Sequence, residues 1–199
     1  MNDTSELESL WDEAKGYIDQ GEYERAVDIY KYILIRYADN RKAVEYASAY
    51  LGDVLLTTRQ HLALAEKYLR KAISLSPNEP HYHYLLGFVS SVRRQVWKAT
   101  QAFKNAVALA PNNSEYERCL GWAMFNGPDK EGGLDHLNRA LELAPNDVNT
   151  MTDLGTAMLV LRDFNLARHY AKHALRIDPD NELAKELAKT IDSVQKKLG

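Results

Sequence analysis

The stretch PHYHYLLGFVSSVRRQVWKATQAFKNAVALAP, residues 80–111, contains two apolar patterns of helical period and ends at a proline. In its first half, His83, Leu86, Gly87 and Ser90 follow one another at steps of three and four residues. The second half repeats that spacing at Val96, Ala99, Phe103, Ala106 and Val107. Such spacing places side chains on one face of a helix, and the final proline cannot continue the helix. The stretch therefore predicts a hairpin of two helices.

The pattern recurs along the chain with a period of 34 or 35 residues. A glycine inside the first helix and a proline after the second recur in register: Gly52, Gly87, Gly121 and Gly155; Pro77, Pro111, Pro145 and Pro179. Three further series run between them: Ala65, Ala99, Gly133 and Ala167; Leu69, Phe103, Leu137 and Ala171; Ala72, Ala106, Ala140 and Ala174. Self-similarity at such a period is the signature of a repeat array.

Each of these glycines interrupts an apolar helix, where glycine costs about 1 kcal/mol relative to alanine. We expect the cost to be offset because a small residue in each helix of a hairpin lets the two backbones approach closely. A single hairpin cannot bury its apolar face, so the stacking of neighbouring hairpins must supply the core.

These residues resemble the tetratricopeptide repeat. Four units carry the Leu-Gly pair, the small residues and the closing proline of that family. The resemblance implies an all-α, right-handed α-solenoid of about five helical hairpins plus a C-terminal capping helix. The repeats are predicted at about 7–40, 45–78, 80–113, 114–147 and 148–181, and the capping helix at about 182–198. We expect a single solenoid domain over residues 1–199.

The two ends of the array depart from the regular repeat. In the first unit Ala38 replaces the proline, and four extra residues, RKAV at 41–44, are predicted to lengthen the following helix. The last segment carries an apolar stripe at Leu183, Leu187, Ile191, Val194 and Leu198. This stripe favours a helix that caps the last repeat, because solenoid ends need a polar outer face. A self-association or partner helix is the alternative.

Composition restricts the classes of partner. The net charge of −3 argues against nucleic acid, which requires a concentrated basic face. No apolar run is long enough to span a membrane, and the N-terminal MNDTSELESL lacks the basic start and apolar run of a secretory signal. Cys119 is the single cysteine, so an internal disulfide is excluded and a cytoplasmic location is favoured.

No residue pattern indicates catalysis. The chain lacks a phosphate-binding glycine loop, a His-Glu-x-x-His motif and paired cysteines. His169 and His173 are four residues apart, but two histidines without a third ligand are a weak metal signal. Cys119 is interpreted as a structural thiol. We therefore expect no enzymatic activity, no cofactor and no metal site.

The resemblance also implies where a partner would bind, because the first helices of tetratricopeptide hairpins line a concave groove. The candidate partner-binding residues at or beside such positions are Trp11, Tyr46, Tyr50, Tyr84, Phe88, Arg118, Trp122 and Phe125. Asp53 and His81 occupy groove positions as well. Aromatic residues and arginine dominate binding hot spots. Three interpretations stay open: a ligand groove, packing between first helices, or a self-association surface.

The sequence as a whole predicts a non-catalytic scaffold or adaptor. A protein or peptide partner of unknown identity would bind as a peptide or helix in the concave aromatic groove. The basic and asparagine residues with which one subclass of the family binds chaperone tails are missing from either possible frame, so a more apolar ligand is favoured. The alternatives are a homo-oligomerising structural protein and a regulatory module that acts on a partner enzyme.

Overall fold

The computed structural model describes the backbone of residues 3–198 and the side chains of residues 4–197. These residues form eleven α-helices and no strand, which confirms the all-α class predicted from the sequence. The chain divides into two compact units, of which unit 1 ends at Leu109 and unit 2 begins at Ala110. The predicted single domain 1–199 includes residues 1, 2 and 199, which lie outside the described residues, and it stays a prediction.

Unit 1 consists of three helical hairpins. Its helices are α1 (Asp3–Asp19), α2 (Tyr23–Arg36), α3 (Arg41–Thr57), α4 (Leu62–Leu75), α5 (Pro80–Val92) and α6 (Val96–Leu109). Helices α1, α3 and α5 are the first helices of their hairpins, and each packs against the helix that follows it. The four extra residues at 41–44 belong to α3, which has 17 residues where α5 has 13. The prediction that they lengthen this helix is confirmed.

Unit 2 consists of two hairpins and a final helix. Its helices are α7 (Ser114–Phe125), α8 (Lys130–Leu143), α9 (Val148–Val160), α10 (Phe164–Ile177) and α11 (Glu182–Leu198). Helices α7 and α9 are the first helices of their hairpins, and α11 packs against both α9 and α10. It covers the last hairpin of the unit, as a capping helix does.

Polar caps set the start of several helices. The side chains of Asn40, Asn113 and Asp147 each accept a hydrogen bond from the backbone N–H three residues later, at 2.8–3.1 Å. Such a bond satisfies one of the donors that the first turn of a helix leaves without a partner. Helices α3, α7 and α9 therefore begin directly after an asparagine or aspartate, whereas α5 begins after Glu79, which accepts from the N–H of His81.

The repeated glycines lie where two helices of a hairpin cross. A Cβ atom added to Gly121 would lie 2.7 Å from both the carbonyl oxygen of Gly133 and the amide nitrogen of Leu137. In the hairpin α3–α4 of unit 1, a Cβ atom added to Gly52 would lie 2.6 Å from Cγ of Leu69. The expectation that small residues permit a close crossing is confirmed at both positions, since no side chain fits there without displacement.

The apolar stripe of α11 differs from the prediction at its first residue. Leu183 is 59% exposed, whereas Ala184, Leu187 and Ile191 are buried. The prediction for Leu183 is wrong because the helix turns Ala184 toward α9 and α10, where Ala184 packs with Met151 and Ala174. The side chain of Leu198 lies outside the described residues.

Candidate functional site

The first helices of unit 1 carry a row of partly exposed aromatic rings. Trp11 of α1 is half-buried, with its ring centroid 5.8 Å from that of Tyr30 and 6.0 Å from that of Tyr50. Tyr30 stacks on Tyr50 with a centroid distance of 5.6 Å. Tyr30 comes from the second helix α2 and is 2% exposed, and its burial raises its pKa to about 12. The ring of Tyr50 therefore stacks on the buried, neutral ring of Tyr30.

A pocket of about 170 Å³ lies beside this cluster, between α3 and α5. It is lined by Tyr46, Ala49, Tyr50, Asp53, His81, Tyr82 and Leu85. Tyr46 is 45% exposed and Tyr50 is 50% exposed, although both rings are large and partly apolar. Two candidate binding residues thus form the rim of a depression that is open to solvent. We call it the tyrosine pocket.

The tyrosine pocket contains one carboxylate, that of Asp53. Burial raises the pKa of Asp53, and the neighbouring His81 acts in the opposite direction. Within residues 3–198 the structure gives Asp53 neither an ion pair nor a side-chain hydrogen bond. The candidate residues predicted from the sequence were aromatic residues and one arginine, so they did not include Asp53. The family resemblance nevertheless implied a groove position for Asp53 on the first helix.

Tyr84 and Phe88 of α5 form a second aromatic cluster in unit 1. Their ring centroids are 4.8 Å apart in an edge-to-face arrangement, and Phe88 lies 5.6 Å from the buried Phe103 of α6. His81 stacks on Tyr84 at 5.8 Å. Tyr84 and Phe88 are both half-buried. Each ring therefore packs against neighbouring rings and retains part of its surface exposed.

Arg118 of α7 in unit 2 is held by two carboxylates. Its guanidinium donates to Glu115 at 2.7 and 2.8 Å and to Asp153 of α9 at 2.6 Å. The Arg118 side chain is 17% exposed. Burial raises the pKa of Asp153, while Arg118 lowers it. This arginine therefore links α7 to α9, a role that the sequence did not indicate.

The other two candidates of α7 differ in exposure. Trp122 is half-buried and stacks on Phe125 at a centroid distance of 6.0 Å. Phe125 is 2% exposed, and the Nζ atom of Lys130 lies 5.1 Å from its ring centroid. Trp122 thus retains surface, whereas Phe125 packs beneath it.

The sequence reasoning missed a buried polar pair in unit 2. Glu117 of α7 is 6% exposed, and its carboxylate lies 2.6 Å from Nδ1 of His136 on α8. A buried carboxylate needs such a partner. Glu117 interrupts an otherwise apolar face, but no local motif identifies His136, which is 19 residues away.

Among the described residues, no group of three or more His, Cys, Asp or Glu side chains could hold a metal ion. The rings of His169 and His173 lie 6.3 Å apart without a third ligand. Cys119 is buried, and burial raises the pKa of its thiol, so the reactive thiolate is disfavoured. Across residues 3–198, no helix combines the length and apolar character that crossing a membrane requires.

A wider depression of about 740 Å³ lies at the turn side of unit 1, between α2 and the α3–α4 turn. Two ion pairs lie along it, Glu22 with Arg25 at 2.9 Å and Asp28 with Lys31 at 3.6 Å. With Glu24 the lining has three carboxylates and two basic side chains, a formal net charge of −1 that selects a ligand only weakly.

Comparisons with known proteins agree with this architecture. A family model described as tetratricopeptide repeat matches residues 12–80. A sequence search of curated proteins found no significant match. Among solved structures, MamA from Desulfovibrio magneticus RS-1 superposes with a TM-score of 0.76 at 18% identity, over 88% of this chain and 97% of that chain.

Two further structures share the fold. YrrB, described as a TPR protein with an unusual peptide-binding site, gives a TM-score of 0.69 at 22% identity over 88% of both chains. A chain of the APC/C hetero-tetramer Cut9–Hcn1 gives 0.72 at 23% identity. There the match covers 89% of this chain but 34% of the other, so the present chain spans about a third of that protein. Residues 12–80 therefore match the tetratricopeptide-repeat model, and the described residues share the fold of these solved structures.

Proposed function

We propose that this chain is a non-catalytic interaction scaffold that binds a peptide or a partner helix on the first-helix face of unit 1. The observation that carries the proposal is the tyrosine pocket, where Tyr46 and Tyr50 expose about half of their surface beside a preformed depression. Large rings exposed at a concave site are typical of protein-binding surfaces. Tetratricopeptide proteins are in general interaction modules without catalytic activity, which supports the same conclusion.

The remaining candidate residues take different parts in this proposal. Trp11, Tyr84 and Phe88 would extend the contact surface along unit 1, because each is half-buried and keeps part of its surface exposed. Arg118 and Phe125 would act by holding α7 in place, since an ion-paired guanidinium and a 2% exposed ring offer little to a partner.

Two further expectations belong to this proposal. The peptide-binding site announced for YrrB makes peptide recognition on this fold a precedent, although the identity of 22% transfers no residue. A cytoplasmic location is proposed because the single cysteine is buried as a free thiol, as suits a reducing compartment.

The test is selection of peptides from a random 12-residue display library, followed by affinity measurement for two matched variants. Tyr46 and Tyr32 are both 45% exposed, but Tyr46 lines the tyrosine pocket on α3 and Tyr32 lies on the second helix α2. We expect Tyr46→Ala to weaken binding of the selected peptides about tenfold, as loss of a hot-spot ring does. Tyr32→Ala should leave the affinity unchanged.

Two results would overturn the proposal. Selection could enrich no peptide that binds the free chain, or the two variants could weaken binding equally. Light scattering of the chain alone distinguishes the self-association alternative, because a dimer that dissociates in Tyr46→Ala would place a second copy on this face.

A further inference from the structure

We infer that the tyrosine pocket receives a single cationic side chain, lysine or arginine, from the bound segment, with Asp53 as its counter-charge. This inference rests on the proposed function, because it names the chemistry of the segment that the first-helix face of unit 1 would bind. It adds a charge requirement to a surface that the sequence predicted to favour an apolar ligand.

The size of the pocket fits one side chain. Sites for drug-sized ligands enclose about 300–1,000 Å³, whereas this pocket measures about 170 Å³ and opens toward the rim formed by Tyr46 and Tyr50. A long, flexible side chain attached to a peptide can enter such a depression while the peptide backbone stays outside.

The walls suit a cation because most of them are aromatic. Tyr46, Tyr50, His81 and Tyr82 contribute rings to the lining, and a lysine or arginine over a tyrosine face is attracted by the ring quadrupole. Tyr50 is supported by its stacking on Tyr30, and the hydroxyl of Tyr82 donates to Glu45 at 3.0 Å. Two of the walls are therefore fixed before a ligand arrives.

The charge of the pocket is the decisive feature. Asp53 and Asp153 are half-buried aspartates on first helices, and burial raises the pKa of both. Asp153 has Arg118 at 2.6 Å as its partner within the chain. Within the described residues Asp53 has no ion pair, and only the neighbouring His81 lowers the pKa that burial raises. A cation close to a carboxylate favours its charged form. A cation supplied by the binding partner would complete at Asp53 what Arg118 provides at Asp153.

The experiment uses small probes, so that it does not depend on finding the partner. N-acetyl-arginine methylamide is titrated into the isotope-labelled full chain and followed by NMR, with the uncharged isostere N-acetyl-citrulline methylamide and with sodium chloride as comparisons. We expect saturable shifts at the amides of Tyr46, Tyr50 and His81 with the arginine probe. The citrulline probe should bind about tenfold more weakly, because it lacks the charge.

Matched variants separate a local effect of Asp53 from a change in overall charge. Asp53→Asn should abolish the shifts, whereas Asp135→Asn, an equal charge change at an exposed site in unit 2, should preserve them. Asp53→Asn removes a desolvated charge, so an intact amide spectrum is expected in this variant. Equal shifts with both probes, unchanged shifts in Asp53→Asn, or no shifts at all would overturn the inference.

The outcomes also separate this inference from the proposed function. If selected peptides require Tyr46 but bind equally well after arginine is replaced by citrulline, the surface binds partners and the cation requirement is wrong. If the arginine probe binds at Asp53 but no peptide requires Tyr46, the cation pocket exists and the proposed function fails.

Discussion

The two half-buried aspartates, Asp53 in unit 1 and Asp153 in unit 2, differ in their ion pairing. In unit 2, Asp153 is paired with Arg118, and the aromatic residue Phe125 is packed to 2% exposure. In unit 1, Asp53 has no ion pair among the described residues, and it lies beside His81 and tyrosines that are about half exposed. Both units use the same repeat, so the difference does not come from the fold. The difference lies in the side chains that the first helices carry.

The largest expected effect concerns the glycines of the two units. Gly121→Ala should destabilise unit 2 by about 3 kcal/mol, because the new Cβ meets backbone atoms of α8 at 2.7 Å that cannot rotate away. Gly16→Ala in α1 is the control, since the nearest atom, Nε2 of Gln20, is 4.0 Å away. That substitution should stabilise unit 1 by about 0.5–1 kcal/mol through helix propensity alone. Urea denaturation measures both changes, and a mild effect at Gly121 would contradict the close crossing.

The next effect tests whether unit 2 is self-sufficient. Arg118→Ala should destabilise the chain by about 2 kcal/mol, because it leaves the half-buried Asp153 without its cation. Adding Asp153→Asn should recover part of the loss, since the unpaired charge is then removed. Hydrogen exchange should show faster opening of α7 and α9 in the single variant. If the double variant loses as much stability as the two single variants together, Arg118 and Asp153 do not act as a pair that links α7 to α9.

Much of the fold was predictable because each repeat carries its own signals. The glycine that permits the crossing and the proline that ends the hairpin recur in register, and local spacing is enough to locate them. Side-chain partners are less local. Arg118 pairs with a residue 35 positions away, and nothing in the α7 sequence indicates that Asp153 faces it.

The candidate site was predictable only to the level of a helix face. The repeat position implies that Tyr50, Phe88 and Phe125 lie on first helices, but the exposure of each ring depends on neighbouring helices. Phe125 is 2% exposed and Tyr50 is 50% exposed. Leu183 shows the same limit, because a rotation of one residue along α11 exchanges it with the buried Ala184. Periodicity predicts a face to within about one residue, as each helical residue advances by about 100°.

A smaller effect distinguishes the unpaired aspartate from the paired one. Asp53→Asn should stabilise the chain by about 1 kcal/mol at pH 7, the size typical of relieving one desolvated polar group. Because the folded state raises the pKa of Asp53 above its ordinary value of 3.8, the folded chain holds the proton more tightly than the unfolded chain. The wild type therefore loses stability as the pH rises from that value through the raised pKa.

The advantage of Asp53→Asn should accordingly be full at pH 7 and vanish below about pH 3.8, where Asp53 is protonated in both states. Urea denaturation at several pH values measures the difference. A stabilising effect that persists at the acid end would point to packing rather than charge. If the variant is more stable but no longer binds the arginine probe, unit 1 sacrifices stability for binding at this residue.

The smallest effect concerns the turns inside the hairpins, in which the two units should behave alike. Arg94 in unit 1 and Arg162 in unit 2 both occupy the turn inside a hairpin with positive φ angles of 57° and 64°, where Gly21 of the first hairpin has 75°. A left-handed backbone costs a residue with a Cβ atom about 1–2 kcal/mol. Glycine avoids this cost, but it also increases the entropy of the unfolded chain, which offsets part of the stabilisation. Arg94→Gly and Arg162→Gly should therefore each stabilise the chain by about 0.5 kcal/mol. Since the turns belong to the repeat and not to the proposed binding surface, unequal effects would mean that the units also differ in their scaffold.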